Sequence, residues 1–267
     1  MGLNYEALCQ EVIKIAKSTG EFIRAELVTI KREQVESKGD HDFVTYVDKT
    51  SERMIVEGLQ KALPDSGFIT EENTIATQQK SYMWIIDPLD GTTNFIHGLP
   101  CFSISIGLMH QTELVMGVIY EINLDECFYA WKGSKAYLNG REISVSTTSR
   151  LNDSLLATGF PYHDYSRLEK YLELFTWCLQ NTHGVRRIGS AAADLAWVAC
   201  GRFDAFFEYG LNAWDVAAGA FIVKQAGGVV TDFSGGDNFI FGRELIASNA
   251  GIADEFLDKA GNSFNTC

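Results

Sequence analysis

No Cys-x-x-Cys pair occurs in this sequence, and its six cysteines (Cys9, Cys101, Cys127, Cys178, Cys200, Cys267) share no short repeated spacing. Zinc ribbons and thioredoxin-like redox motifs are thereby set aside. Histidine is scarce as well: five residues, none at metal-ligand spacing, so His97 reads as structural. Basic charge is in short supply, with 22 Lys and Arg against 35 Asp and Glu and a formal net charge of −13. Non-specific binding to nucleic acid or to an anionic membrane needs a basic surface, so neither partner is expected. An anionic substrate stays open, because bound cations can invert the local field. No apolar run approaches the length of a membrane span. The opening MGLNYEALCQEVIKIAK intersperses charge where a signal peptide would be continuously apolar. Glu6 stands where N-myristoylation wants Ser or Thr. Reduced thiols in a soluble cytoplasmic protein are the expectation, and repeats, low-complexity segments and obvious linkers are missing too.

What is present is ordinary in bulk and specific in detail. The 267 residues, 46% hydrophobic and 21% charged, suffice for one large domain or two intimate halves with a sizeable core. Residues 4–30 carry Leu8, Val12, Ile15, Ala16, Ile23 and Leu27 at helical spacing. After the polar stretch REQVESKGDHD, Asp48 is expected to open a second helix that Pro64 ends, with Asp48 as a plain N-cap. GFITEEN and YMWIIDP read as short buried strands ending in carboxylates. SISIGLM, ELVMGVIYE, ECFYAW and KAYLN alternate with period two and suggest an antiparallel meander. Beyond Ser146, strands at LLATGF, GVRRIG, DAFFEYG, VVTDF and ELIASN alternate with helices around SRLEKYLELFTWCLQN, AAADLAWVACG and WDVAAGAFIVKQAGG, and a short helix closes the chain. The change of character near 146–152 places a seam between an N-terminal α+β half, 1–147, and a C-terminal α/β half, 148–267, in one compact unit. A mixed α/β layered fold is expected.

Four apolar runs each deliver a carboxylate. In WIIDPLDGTTNF, a strand ending at Asp87 puts that acid at the sheet edge, where open α/β sheets bind ligands. Pro88 is expected to stop the ladder by removing a donor. Asp90 then follows around the turn, and Gly91 and Thr92 offer backbone N–H groups at a helix start suited to phosphate. Carboxylates with substrate phosphate are the usual surroundings of Mg²⁺. Each motif also has a plain structural explanation: a solvated Asp-Pro turn, a surface Glu71-Glu72 pair, and an N-cap at Asp48 or Asp215. Four repetitions of strand-then-acid favour the metal-site explanation.

Glu71-Glu72, then Asp87-Pro88-Leu89-Asp90-Gly91-Thr92-Thr93-Asn94-Phe95, then Trp214-Asp215-Val216-Ala217-Ala218-Gly219 resemble the three signatures of the inositol monophosphatase family. GDHDFVTYVDK and AGGVVTDFSGG resemble it as well, so the likeness covers essentially the whole chain. It implies a layered αβαβα sandwich of the sugar-phosphatase type. It further implies Mg²⁺-dependent hydrolysis of myo-inositol monophosphate, with two or three ions per site, lithium sensitivity and a homodimer. Glu71, Asp87 and the carbonyl of Leu89 would hold a first ion, with Asp87, Asp90 and Asp215 holding a second. Glu71 and water would hold a weaker third. Thr92 paired with Asp48 would orient and deprotonate the attacking water, with Glu72 in support. Gly91 and Thr92 would bind phosphate through their N–H groups. On the substrate side the resemblance places Asp90, Asp215, Glu208, Gly189, Ser190 and Ala191. It also suggests Lys38 as a mobile-loop lysine, in a loop one residue shorter than the family's.

Three alternatives accompany that expectation. A broader sugar-phosphate phosphatase would take fructose bisphosphate or related esters. A family member with a regulatory binding role would keep the fold for a macromolecular partner. A haloacid-dehalogenase-type phosphatase would need its aspartates two apart, whereas Asp87 and Asp90 are three apart with Pro88 between them.

Overall fold

The computed structural model describes residues 2–27, 29, 35–39, 42–162 and 164–265, giving only the backbone course at 35–39, 42–44, 262 and 265. The side chain of Lys38 and all of Cys267 therefore lie outside the described residues.

The chain opens with α1 (Tyr5–Glu26), capped by the Asn4 side chain accepting from the Ala7 N–H at 3.1 Å. A hairpin follows, β1 (Val35–Gly39) against β2 (Asp42–Thr45), so the polar stretch before α2 contains a strand. Helix α2 (Tyr46–Ala62) begins two residues earlier than expected. Thr45 is its N-cap, and Asp48 is the third helical residue of a capping box, accepting from the Thr45 N–H at 2.8 Å. The apolar FVTYV run thus ends its extended part at Thr45, where the threonine hydroxyl can take the Val47 N–H at 3.0 Å.

A seven-stranded sheet comes next: β3 (Gly67–Thr70), β4 (Tyr82–Asp90), β5 (Ser103–His110), β6 (Glu113–Glu121), β7 (Glu126–Trp131), β8 (Ala136–Leu138) and β9 (Arg141–Ile143), with the short helix α3 (Thr92–His97) between β4 and β5. β3 runs parallel to β4, and everything from β4 to β9 is the antiparallel meander that the alternating pattern demands. Pro88 does not end β4. The ladder to β5 pairs Asp87 with Ser105 and resumes with Asp90 opposite Ser103, so Pro88 and Leu89 face Ile104 alone. Such a bulge absorbs the missing proline donor and re-aims the side chains on either side of it.

The second sheet has strand order β11-β10-β12-β14-β13. Its members are β10 (Leu155–Thr158), β11 (Gly184–Arg186), β12 (Ala205–Tyr209), β13 (Val229–Thr231) and β14 (Glu244–Ser248), interleaved with α4 (Leu168–Asn181), α5 (Ala191–Ala199), α6 (Ala213–Gln225) and α7 (Ala253–Asn265). Asn212, not Asp215, stands at the N-cap of α6, and Asp215 accepts from the Asn212 N–H at 2.7 Å.

Apolar clusters show the layers. Leu8, Val12 and Ile23 of α1 and Ile55 and Leu59 of α2 pack on Trp84, Ile86, Ile104 and Val118, on one face of the large sheet. Leu195 and Val198 of α5 and Val216 and Ile222 of α6 fill the space between Ile119 and Phe128 of that sheet and Phe206 and Ala247 of the second. Tyr171, Leu174 and Cys178 of α4 and Phe256 and Ala260 of α7 cover Phe207 and Ile246 on the far face. The order is helix, sheet, helix, sheet, helix. Glycine sets how closely the middle layers meet. Gly107 and Gly117 are cross-strand partners, and a Cβ on Gly117 would come 2.4 Å from the Ala218 carbonyl oxygen. Among the described residues no helix is long and apolar enough to cross a membrane.

Candidate active site

A cavity of about 260 Å³ opens where the bulge of β4, the start of α3, the end of β12 and the starts of α5 and α6 meet. Glu71, Asp87, Leu89, Asp90, Gly91, Thr92, Gly189, Ser190, Ala191, Glu208 and Asp215 all line it. Asp48 lies behind this wall, fully buried, and reaches it through Thr92. Glu72, half-buried, is tied in through its backbone on the loop after β3.

Asp87, 2% exposed, accepts from the Leu89 N–H at 2.9 Å, which fixes the carboxylate at the mouth of the bulge. Burial, followed by the charges of Glu71, Asp90 and Asp215, pushes its carboxyl well above the ordinary range. Asp90 accepts from the Ser190 hydroxyl at 2.7 Å and the Ala192 N–H at 2.6 Å, so an acid of the first sheet holds the start of α5. Burial raises it to about 6, against the opposing pull of those two donors and Arg187. Asp215 is raised well above the usual carboxylate value, by burial first and the nearby Asp90 charge second. Asp48 is raised by burial against the opposing donors of Thr45 and Thr92.

The Thr92 hydroxyl has two acceptors for one hydrogen: Asp48 Oδ1 at 3.0 Å and the Leu89 carbonyl at 2.9 Å. Gly91 precedes it with φ 96°, the left-handed turn that swings α3 back across the bulge. Asp48 and Asp215 occupy the same position in their helices, each third from the start and each turned back to the N-cap N–H. Both helix starts therefore present an acid at a fixed angle.

One supporting residue, Glu52, was not singled out from sequence. Glu52 is fully buried on α2 and accepts from the Thr70 hydroxyl at 3.0 Å and from the Glu72 and Thr74 N–H groups, each at 2.7 Å. Its carboxylate thus holds the loop carrying Glu71. An acid on the apolar face of an amphipathic helix, three before Ile55 and four before Val56, was the available signal. Asn94 ties the segment before β5 to the segment before α5, its amide donating to the carbonyls of Cys101 at 2.8 Å and Ile188 at 2.9 Å.

Among the described residues no group of three or more His, Cys, Asp or Glu stands as a ready-made metal cluster. The donor set nonetheless fits a hard divalent cation. Several buried carboxyls crowd one cavity, where burial and mutual repulsion disfavour their charged forms, and a cation with oxygen preference would relieve that crowding.

Residues 4–263 match the family model described as "Inositol monophosphatase family". A Nus factor SuhB of Pseudomonas aeruginosa is 42% identical over 242 residues, covering 89% of this chain and 89% of the relative. An inositol-1-monophosphatase of Mesorhizobium japonicum is 38% identical over 252 residues, covering 94% and 95%. The crystal structure of extragenic suppressor protein suhB from Bartonella henselae matches at a TM-score of 0.90 and 39% identity, over 95% of this chain and 98% of that one.

Proposed function

Because this chain belongs to the inositol monophosphatase family, we propose that it is a Mg²⁺-dependent phosphatase that hydrolyses myo-inositol monophosphate to inositol and phosphate by direct attack of water. The observation that carries this reading is the crowding of Asp87, Asp90 and Asp215 in one cavity whose wall is Thr92 backed by Asp48. Glu71, Asp87 and the Leu89 carbonyl would hold one ion; Asp87, Asp90 and Asp215 would hold a second; Glu71 would hold a weaker third with water. When bound, such ions neutralise phosphoryl oxygens, acidify water and stabilise a leaving alkoxide.

The protein's own groups do the positioning. With the Leu89 carbonyl engaged elsewhere, the single hydrogen of Thr92 points to Asp48. Its lone pairs then accept a hydrogen from the attacking water, which sets that water in line with phosphorus. As the new O–P bond forms and the ester O–P bond breaks, the water's proton passes through Thr92 towards Asp48, whose burial favours taking it. Glu72 supports that network, and the leaving oxygen takes its proton from solvent. Gly91 and Thr92 N–H groups hold phosphate oxygens. Gly189, Ser190, Ala191 and Glu208 face the alcohol, where Asp90 and Asp215 also reach. The remaining parts of the reading are a cytoplasmic homodimer inhibited by lithium, with 1–147 and 148–267 as its two halves and no nucleic-acid or membrane partner.

A second reading has its own observation. Relatives from Pseudomonas aeruginosa and Neisseria meningitidis at 42% and 41% identity bear the name Nus factor SuhB, or putative Nus factor SuhB. A regulatory binding role would accompany or replace hydrolysis. Breadth towards fructose bisphosphate is a third possibility of the same chemistry. Phosphate release from inositol, fructose and glycerol phosphates, with and without Mg²⁺ and Li⁺, separates these. We expect Mg²⁺-dependent, Li⁺-inhibited release, fastest from myo-inositol 1-phosphate. Asp90→Asn should lower kcat by more than about a hundredfold while the melting transition stays cooperative. Native chain that releases phosphate from none of these esters would favour the regulatory reading.

A further inference from the structure

One acid that lines the cavity, Asp194, has no part in the reading above. Asp194 lies in the first turn of α5, 1% exposed, and lines the cavity while its Oδ1 has no hydrogen-bond partner. Glu208 approaches from β12, itself 8% exposed. A Cβ on Gly159 would fall 2.0 Å from the Glu208 carboxylate, so the chain leaves that wall bare where Glu208 packs. Arg187 is a cation facing both acids, yet it bonds to neither: its Nη2 donates to the Tyr162 hydroxyl, its guanidinium lies over Phe160 at 5.3 Å, and its buried Nε has no hydrogen-bond partner.

An acid in the first turn of a helix has a structural role, since it complements the helix dipole. A solvent-facing acid would serve the dipole equally well and keep its hydration. Asp194 instead turns inward and leaves an oxygen unpaired. Buried polar atoms are normally bonded, and stranding one is unfavourable. A ligand hydroxyl in the cavity would complete it.

We propose that Asp194 is a specificity-determining residue: with Glu208 it forms a two-carboxyl subsite for the hydroxyl groups of a polyol leaving group, and Asp194 Oδ1 accepts a hydrogen bond from one of them. This rests on the phosphatase reading above and names what chooses the alcohol. A site built around buried acceptors discriminates strongly against analogues lacking the matching hydroxyl, because the acceptor is then left bare. The subsite therefore favours polyol esters over aryl esters.

The test compares kcat/KM for myo-inositol 1-phosphate and for 4-nitrophenyl phosphate in Mg²⁺. Asp194→Ala should lower the ratio of the two about tenfold, mainly through KM for the inositol ester. Asp194→Asn, which retains an acceptor oxygen, should bring the ratio back to within about threefold of native. Asp194→Ser replaces the alanine variant if that one does not melt cooperatively. An equal fall on both esters, or an asparagine variant no better than alanine, overturns the proposal and leaves Asp194 a helix-start residue. If the native chain hydrolyses neither ester, the phosphatase reading fails separately. Calorimetric titration with myo-inositol then decides the subsite: Asp194→Ala must weaken binding about tenfold, and unchanged binding overturns it.

Discussion

At the scale of single residues, the Thr92 hydroxyl and the Glu208 carboxyl are the most informative groups. Thr92→Ser keeps a hydroxyl within reach of Asp48 and should hold kcat within about tenfold of native, whereas Thr92→Ala should lose about 10²–10⁴-fold. Rapid-quench measurement of phosphate release separates the two. Burial lifts Glu208 to about 8, Arg187 opposing and Asp90 adding to the rise. Its unfolded value is near 4.3, so between those limits the native state holds a proton that the unfolded chain has released. That contribution is complete below about pH 4.3 and vanishes as pH rises through 8. Metal-free protein should therefore lose stability across that window, and Glu208→Gln should flatten the slope by up to about 1.4 kcal/mol per pH unit. Urea midpoints at pH 5, 6, 7 and 8 in chelator read this directly; an unchanged slope would mean that Glu208 does not retain its proton.

Elements turn these acids into a site. The bulge in β4, the two capping boxes and the Glu52 clamp each hold a carboxylate by backbone geometry. Glu52→Ala should free the loop after β3, raise the Mg²⁺ concentration for half-maximal activity about tenfold or more, and lower stability by about 2–4 kcal/mol. Mg²⁺ titrations and urea melts measure the two effects. Much of this scale could be read in advance. The alternation of β4 to β8 and the periodicity of the helices follow from side-chain pattern, which local sequence carries. Three features did not. Pro88 looked like a stop because a missing donor ends a regular ladder, but Asp90 returns to pair with Ser103 and the loss is confined to a bulge. Asp48 and Asp215 looked like N-caps, yet Thr45 and Asn212 precede each by three residues and take that place. Both acids sit at the third helical position, where a carboxylate can reach back. Asp194 and Arg187 carried no local signal, since only the meeting of β11, β12 and α5 gives them a shared cavity.

At the scale of the molecule, two sheets are joined through one helical layer whose spacing is set by small residues. Gly117→Ala would drive a methyl into the Ala218 carbonyl and should cost about 1–3 kcal/mol, lowering Tm with little change in KM for Mg²⁺; a calorimetric scan beside an activity titration tests both halves of that statement. The same layer explains why Asp90 bonds forward to Ser190 and Ala192. During synthesis, Glu71, Asp87 and Asp90 leave the ribosome long before α5 and α6 exist, and domains assemble as their chain emerges. A nascent chain halted after the meander would carry three of the four proposed metal-binding acidic side chains and neither Ser190 nor Asp215. On the phosphatase reading, hydrolytic competence is then deferred until α5 and α6 have emerged, so a product truncated before them would be inert by architecture rather than by surveillance.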